Sequence, residues 1–349
     1  MVPQALYVDE NGAFLSRSDL PLVQAEEDEL LVKVLYSGTN PADYKGPRFL
    51  GTRSSVLGND FCGVVLDSPG VKKSEYNVGD IIAGYTTAGS PRPLRFGTHQ
   101  QYTAVRLDAG TFKVPANLPL PDAAALTSVT QTASDAIFNR LKLPLPSGDN
   151  IPFDGTVVIW GGGTCVGYLA IQLARAAGAT SIITTASLAR HEALYNVGAT
   201  ICFDYNDPQV TEKVRSAIGS TTKIRGLEAS GTSSELFLGA LNGLSDDTRY
   251  VFVVLPPSRP QDEQARGVRH YDIHFSLPGG QQTLTEKARP EEADRMWKAL
   301  MWAIAHYGDK ISLPNVRVFN GTAEEALEQL EIVSQQGLHG KLVFKQPLE

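Results

Sequence analysis

The residues best suited to chemistry lie in one stretch, Thr156 to Gly178. Four apolar residues, Val157 to Trp160, predict a buried strand, and glycines follow at positions 161, 162, 163 and 167. Apolar residues then recur at helical spacing until Gly178. A strand, a glycine turn and a helix in this order predict a dinucleotide site. The glycines let backbone N–H groups approach a pyrophosphate, and the helix N-terminus carries a partial positive charge.

The glycine pattern departs from the usual G-x-G-x-x-G at its third position. Gly161 and Gly163 match it, but Val166 stands where the third glycine is expected, and Gly167 follows one residue late. Taken alone, such a turn is also typical of a tight turn in other α/β proteins. Thr164 offers a hydroxyl and an N–H, which we expect to reach phosphate.

The residues after the second predicted strand indicate which cofactor binds. An NAD site places an Asp or Glu about 20 residues beyond the glycine turn, but here Thr185-Ala186-Ser187 contains no acid and Arg190 follows. A hydroxyl and a guanidinium suit the 2′-phosphate of NADPH, because Arg offers bidentate, charge-assisted donors. Tyr205, after the third strand, adds a phenol donor. A solvated Arg190 on a helix surface is the alternative.

Composition excludes several classes of partner. The 349 residues favour two domains, since single cores stop growing near about 250–300 residues. A net charge of −7 argues against nucleic acid or an anionic membrane as partner. Three isolated cysteines build no disulfide framework, and no signal peptide or membrane span is recognisable. We therefore expect a cytoplasmic protein.

The order of elements predicts an α/β protein in two parts. Residues 1–120 contain short apolar runs between Gly, Pro, Asn and Asp clusters, a pattern typical of a partly open β-barrel. A helix is expected from Pro121 towards Arg140. Strands and helices then alternate to Leu255, as in a doubly wound parallel sheet. Two helices, at 291–307 and 323–334, precede a last strand at 341–344.

Several motifs along most of the chain carry a family resemblance. They are Asn40-Pro41-Ala42-Asp43-Tyr44-Lys45, Gly58-Asn59-Asp60-Phe61-Cys62-Gly63, Val78-Gly79-Asp80, Gly97-Thr98-His99-Gln100-Gln101-Tyr102, Gly198-Ala199 before Phe203-Asp204-Tyr205, and Gly340-Lys341-Leu342-Val343-Phe344. With these motifs the chain resembles the zinc-independent medium-chain dehydrogenases/reductases. Within that family it is most similar to the fungal trans-acting enoyl reductases of polyketide synthase pathways.

The resemblance implies a fold and a division of the chain. A GroES-like, partly open β-barrel substrate domain is expected from residues 1–122 and 291–349. A Rossmann domain for NADPH is expected from residues 123–290, with the active-site cleft at the junction. Zinc relatives carry Gly-His-Glu where this chain has Gly58-Asn59-Asp60, and no cysteine ligand is in place, so we expect no metal.

The resemblance also implies site residues. Lys45 and Thr132 are the expected catalytic side chains, placed near the developing oxyanion, although Lys45 is equally suited to binding cofactor ribose or phosphate. The expected cofactor-binding residues are Ala42, Asp43, Tyr44, Lys45, Gly163, Thr164, Cys165, Val166, Ser187, Leu188, Ala189, Arg190, Tyr205, Leu255, Pro256, Lys341 and Leu342. The residues expected to bind substrate on the helix around Thr132 are Thr130, Gln131, Thr132 and Asp135. From the sequence alone, His274, between Ile273 and Phe275, is a further candidate for the substrate cleft, with an ordinary surface or core histidine as the alternative.

The expected reaction is a metal-free, NADPH-dependent reduction of an α,β-unsaturated polyketide thioester. A free-standing quinone or enone reductase is the alternative, and a non-catalytic NADPH-binding partner is a third possibility. A trans-acting reductase receives its substrate from an acyl carrier protein domain, which is acidic. Arg48, Arg53, Arg92 and Arg95 lie in two loops and are expected either to form a basic docking patch or to be solvated. We expect a monomer.

Overall fold

The computed structural model describes two units. Their described residues are 4–68, 76–146, 152–276, 283–336 and 340–349. The first unit contains residues 1–128, 269–289 and 315–349, and the second contains residues 129–268 and 290–314.

The first unit is rich in β-structure. Its strands are β1 (Ala5–Val8), β2 (Phe14–Arg17), β3 (Glu29–Gly38), β4 (Ser55–Val56), β5 (Asp60–Asp67), β6 (Ile81–Tyr85), β7 (Tyr102–Arg106), β8 (Thr111–Lys113), β14 (Ile273–Ser276), β15 (Thr283–Glu286), β16 (Val316–Phe319) and β17 (Lys341–Lys345). A seven-stranded sheet has the order β16-β17-β3-β5-β6-β8, with β7 also paired to β3. A three-stranded sheet, β2-β1-β4, and the hairpin β14-β15 complete the described strands.

Alternating apolar residues explain the core of this unit. Leu30, Val32 and Val34 point to one face of β3 and pack with Phe61 and Ile82 from the neighbouring strands. The helices α1 (Pro41–Phe49) and α8 (Ala323–Gln336) are in contact with each other. They share a second apolar cluster with β1 and β17. Strands β1 and β17 therefore pack with α1 and α8 in a cluster separate from that of β3.

The second unit is a doubly wound parallel sheet. Its strands are β9 (Phe153–Trp160), β10 (Ala179–Ala186), β11 (Ile201–Asp204), β12 (Lys223–Glu228) and β13 (Asp247–Phe252). Its helices are α3 (Cys165–Ala176), α4 (His191–Asn196), α5 (Val210–Ile218), α6 (Ser234–Leu241) and α7 (Pro290–Ala305). The strand order is β11-β10-β9-β12-β13, so the chain reverses direction across the sheet between β9 and β12. This confirms the predicted doubly wound sheet and the α/β class.

Helix α2 (Leu120–Ser134) begins in the first unit and ends in the second. It continues as a π-helix, Asp135–Arg140, which agrees with the predicted helix towards Arg140. Alanines at 123, 124 and 125 are fully buried, and a Cβ at Gly38 would lie 2.1 Å from the Ala124 carbonyl oxygen. The helix therefore lies directly against the backbone of β3.

The division of the chain differs from the sequence expectation in two segments. Residues 290–314, expected in the substrate domain, lie in the second unit, because Asn139 Nδ2 and Arg140 Nη2 donate to Glu292 at 3.1 and 2.9 Å. Residues 269–289, expected in the cofactor domain, lie in the first unit. There Ser90 N–H donates to the His274 carbonyl at 2.8 Å.

Most predicted elements are present, but one helix and several short strands were not predicted. The strand predicted at Tyr250–Leu255 is observed at Asp247–Phe252, a shift of three residues towards the N-terminus. Strand β12 and helix α1 were not predicted. In the described ranges, no helix combines the length and apolar character needed to cross a membrane.

Candidate functional site

The glycine turn forms a close contact between backbone segments in the second unit. Gly161 follows β9 with φ +90°, a left-handed conformation that favours glycine. A Cβ at Gly161 would lie 2.9 Å from the Ser230 nitrogen, and one at Gly167 would lie 2.3 Å from the Gly161 carbonyl oxygen. Gly167 therefore lets α3 lie against the end of β9. The apparently late glycine has the packing role of the third glycine in the usual pattern.

Thr164 is the N-cap of α3. Its Oγ1 accepts a hydrogen bond from Gly167 N–H at 3.0 Å and donates to the Gly161 carbonyl at 2.9 Å. The Thr164 N–H also donates to that carbonyl, at 3.0 Å. Both donors expected to reach phosphate are thus used within the turn. The N-terminus of α3, which carries the partial positive charge of the helix dipole, fits a pyrophosphate.

The residues predicted for the 2′-phosphate lie next to the glycine turn. Strand β10 ends at Ala186, and Ser187 starts the 3₁₀ turn Leu188–Arg190. Arg190 N–H donates to the Ser187 carbonyl at 2.9 Å, and Arg190 Nη1 donates to the Gly163 carbonyl at 3.1 Å. The guanidinium therefore reaches back to the turn instead of extending into solvent. No acidic residue lies between the end of β10 and Arg190.

The other predicted cofactor residues of this unit differ in exposure. Leu188 and Tyr205 are 68% and 51% exposed, Ala189 is exposed, and Tyr205 follows the end of β11. Leu255 packs partly against the apolar core of the sheet, and Pro256 is half-buried beside it. The structure places all of them after the carboxyl ends of strands, where open α/β sheets bind ligands.

The predicted substrate residues on α2 include two buried polar atoms without partners. Thr130 Oγ1 and Gln131 Oε1 have no hydrogen-bond partner among the described residues, and Thr132 is half-buried. Buried polar atoms are nearly always hydrogen-bonded, so these two fit a site for water or a polar ligand. Asp135 differs, because its fully buried carboxylate accepts from Asn139 Nδ2 and Arg266 N–H, each at 3.0 Å. Burial raises the pKa of Asp135, and its observed role is to hold the π-helix.

The predicted cofactor-binding residues on helix α1 form two sets, one exposed and one buried. Ala42 and Lys45 are exposed, whereas Asp43 and Tyr44 are buried. Asp43 accepts from the Asn40 N–H at 2.7 Å, and its Oδ2 lies 3.4 Å from His99 Nε2. The Tyr44 ring stacks on Phe14, with centroids 4.7 Å apart. The predicted cofactor contacts of Asp43 and Tyr44 are therefore not available to their side chains as they lie here.

Lys341 and Leu342 also point into the first unit. Lys341 Nζ donates to Asn40 Oδ1 at 2.6 Å and lies 4.0 Å from Asp60 Oδ2. Leu342 belongs to the apolar cluster of α1 and α8. Asn40 Nδ2 in turn donates to Asp60 Oδ2 at 2.9 Å. These contacts anchor the residue that precedes α1, and thereby the helix that carries Lys45.

Asp60 is a fully buried carboxyl group. Burial raises the pKa of Asp60 to about 7, while the Lys341 ammonium and the Asn40 amide oppose that shift. Asp60 Oδ1 also accepts from the Ser128 N–H on α2 at 3.2 Å. Its ionisation therefore falls near neutral pH.

The hairpin β14-β15 presents its predicted residues on opposite faces. Ile273 and Phe275 are buried, whereas His274 is exposed and its Nδ1 lies 3.0 Å from Thr285 Oγ1. In the described ranges, no group of three or more His, Cys, Asp or Glu residues is arranged to hold a metal ion.

The four arginines do not form the expected docking patch. Arg92 is buried and donates to the carbonyls of Val56 and Gly58 and to Asn59 Oδ1. Arg95 is paired with Glu26 and Glu29. Arg48 lies over the Tyr44 ring, with its Cζ 3.9 Å from the centroid, and Arg53 donates to backbone carbonyls of Pro47 and Thr52. The hypothesis of four arginines in one patch is therefore wrong.

Comparison with known proteins places the chain in a family. No family model matches it. It is 30% identical over 341 residues to the dehydrogenase orf1 of Aspergillus niger, a match that covers 93% of this chain and 92% of that one. The chain belongs to the medium-chain dehydrogenase/reductase family. This is a family of oxidoreductases, and the resemblance found in the sequence motifs is thereby confirmed.

Within the family the chain resembles fungal trans-enoyl reductases. It is 33% identical over 193 residues to the trans-enoyl reductase himH of Aspergillus japonicus. That match covers 54% of this chain and spans only 56% of the himH chain.

Solved structures of this family share the fold. The CurK enoyl reductase has a TM-score of 0.71 at 17% identity, covering 99% of each chain. The quinone oxidoreductase from Coxiella burnetii has a TM-score of 0.62 at 21% identity, covering 98% of this chain and 99% of that one. The predicted pairing of a GroES-like domain with a Rossmann domain is confirmed.

The N-cap predicts how Thr164 variants behave. Thr164→Ala should lower the free energy of unfolding by about 1 kcal/mol, Thr164→Gly by a few tenths, and Thr164→Ser by little. Chemical denaturation measures this. The affinity for a nicotinamide cofactor should change little in Thr164→Ser and Thr164→Gly, because the hydroxyl proton is already donated to the Gly161 carbonyl. A large loss of affinity in Thr164→Gly, without loss of stability, would show instead that the hydroxyl binds phosphate.

Asp60 predicts a pH dependence of stability. The pKa of about 7 for folded Asp60 lies above the ordinary aspartate value of 3.8, so the folded state keeps the proton to a higher pH. The contribution of Asp60 to stability is therefore greatest at low pH and is lost as pH rises from about 4 to about 7. Asp60→Asn removes this dependence, so the stability of wild type relative to the variant should fall between pH 4.5 and pH 8. Asp67→Asn, exposed at the end of the same strand, is the control, and a constant difference for Asp60→Asn would refute the prediction.

Proposed function

We propose that this chain is a trans-acting enoyl reductase that uses NADPH to reduce an α,β-unsaturated polyketide thioester in secondary metabolism. The observation that carries the proposal is the contact of Arg190 with the glycine turn at Gly163, without an acid after β10. A guanidinium held in this corner suits a 2′-phosphate and offers no acceptor for a ribose 2′-OH. The trans-enoyl reductase himH among the relatives supports the reaction class.

The residues of the chain have defined parts in this reaction. A bound nicotinamide cofactor supplies the hydride for the β-carbon of the enoyl group. The first turn of α3 binds the pyrophosphate, and Ser187, Arg190 and Tyr205 bind the 2′-phosphate. Hydrogen-bond donors stabilise the oxyanion that develops on the thioester carbonyl. Lys45, exposed on α1, and Thr132, half-buried on α2, are the proposed donors.

The side-chain oxygens of Thr130 and Gln131, which have no partner among the described residues, support a polar ligand beside Thr132. Thr130 Oγ1 and Gln131 Oε1 are buried. Each costs about 1–3 kcal/mol of folding free energy when it makes no hydrogen bond. A bound thioester or its attendant water would satisfy them. The buried Asp135 then acts as a positioning residue, since it holds the turn that follows these side chains.

The proposal extends to the partner and the setting of the reaction. The substrate arrives on an acyl carrier protein domain of a polyketide synthase, in the cytoplasm, and the chain acts as a monomer. The name trans-enoyl reductase of the relative supports a carrier that belongs to another protein. With Arg92 buried and Arg95 paired, the docking of this carrier does not depend on the four loop arginines acting together.

Cofactor choice is tested by Arg190→Gln. Losing a charge-assisted contact to a dianion should raise the KM for NADPH about tenfold or more, while the KM for NADH stays unchanged. Arg249→Gln removes the same charge from an exposed position on β13 and should alter neither value. Equal increases for NADPH and NADH in Arg190→Gln would show that the arginine does not recognise the 2′-phosphate.

The substrate class is tested by direct competition. NADPH oxidation is followed with an enoyl thioester on a carrier protein, with the same enoyl group on pantetheine, and with a simple quinone. We expect the highest kcat/KM for the carrier-bound thioester. Faster turnover of the quinone would favour the alternative function, a free-standing quinone or enone reductase. The solved quinone oxidoreductase with this fold makes that the second candidate.

A further inference from the structure

Glu228 is a buried carboxylate at the edge of the sheet where ligands bind. It is the last residue of β12 and is fully buried. The loop that follows it packs against the glycine turn, since a Cβ at Gly161 would lie 2.9 Å from the Ser230 nitrogen. The Ala229 N–H also donates to the Trp160 carbonyl at 2.8 Å, which ties this loop to the end of β9.

Glu228 organises its own loop. Its Oε1 accepts from Ser230 N–H at 3.0 Å and from the Ser230 hydroxyl, and its Oε2 accepts from Gly231 N–H at 2.9 Å. In the part of the chain that the structure describes, no cation is paired with it. Burial raises the pKa of Glu228, and the hydrogen bonds from Ser230 and Gly231 oppose that shift.

An unpaired buried carboxylate is costly. Hydrogen bonds satisfy its lone pairs, but they do not neutralise its charge, and buried charges are otherwise paired or bound to cations. Residues that break such a rule are typical of functional sites. The charge of Glu228 therefore calls for a positive group that is bound nearby for part of the time.

The strand order indicates which part of a dinucleotide lies here. The pyrophosphate site is at α3, and the 2′-phosphate site follows β10 on one side of β9. The sheet order β11-β10-β9-β12-β13 leaves β12 and β13 for the other half of the dinucleotide, since each half of such a sheet holds one mononucleotide. The nicotinamide half of a bound dinucleotide would thus lie at the carboxyl end of β12.

We infer that Glu228 is a positioning residue that shapes the loop under the nicotinamide half and favours the oxidised, positively charged ring over the neutral reduced ring. The inference rests on the proposed dinucleotide-binding function. It assigns to this carboxylate a role in hydride donation, because a field that stabilises the positive ring makes the reduced cofactor a stronger hydride donor. No contact between Glu228 and the cofactor is required.

The test compares the Kd of NADP⁺ with that of NADPH by titration calorimetry. Glu228→Gln should lower the preference for NADP⁺ relative to NADPH several-fold, because it removes a buried negative charge that attracts the positive ring. Glu235→Gln, exposed in the first turn of α6, is the matched control and should leave the ratio unchanged. The Kd of 2′,5′-ADP, which occupies only the adenosine half, should stay constant in both variants.

A second variant tests the inference independently, in case Glu228→Gln does not fold. Thr232→Lys places a cation at an exposed position of the same loop and should also lower the preference for NADP⁺, less so in high salt. An unchanged ratio in Glu228→Gln or in Thr232→Lys would overturn the inference. So would an equal weakening of 2′,5′-ADP and both dinucleotides in Glu228→Gln. Failure of the wild-type chain to bind either dinucleotide would instead overturn the proposed function, and the inference with it.

Discussion

The second unit depends on one contact between two backbone segments. Helix α3 approaches the end of β9 so closely that no side chain fits at Gly167, where a Cβ would lie 2.3 Å from the Gly161 carbonyl oxygen. This approach places the capped N-terminus of α3 at the carboxyl edge of the sheet. Arg190 on one side and the loop after Glu228 on the other then meet the same turn. The arrangement of the site follows from the missing side chain at Gly167, where the first turn of the helix meets the end of the strand.

The first unit buries a group of ionisable side chains. Asp60, Asp43, His99, Arg92 and Lys341 are all buried there. Paired and hydrogen-bonded charges are tolerated in an interior, although they add little net stability compared with apolar residues. What such a network supplies is geometry, because each member has few positions in which its partners are satisfied. The start of α1, and hence the exposed Lys45, is fixed by that geometry.

Local patterns were enough to predict most elements, but not β12 or the buried network. Strand β12 has the sequence Lys223-Ile224-Arg225-Gly226-Leu227-Glu228. Its three charged residues are not typical of a buried strand, although the strand is buried over most of its length. Arg225 Nη1 donates to the Asp247 carbonyl and Glu228 accepts from the next loop, which only the folded chain reveals. The resemblance placed Asp43, Tyr44 and Lys341 in the site by position, yet exposure depends on partners such as Asn40. Thr164 was expected to reach phosphate but caps α3 instead, a role that a threonine directly before a helix indicates.

The pairing of β17 with β3 has a consequence for how the chain folds as it is made. Lys341 and Asn40 are separated by 301 residues, and their hydrogen bond joins the start of α1 to the last strand. The parallel sheet of the second unit uses a nearly continuous segment and can form while the ribosome is still at work. The first unit cannot be completed until β17 is made. Until then β3 lacks its pairing with β17, and Asp60 lacks the Lys341 ammonium. Its exposure to aggregation during synthesis is therefore set by the time taken to complete the chain.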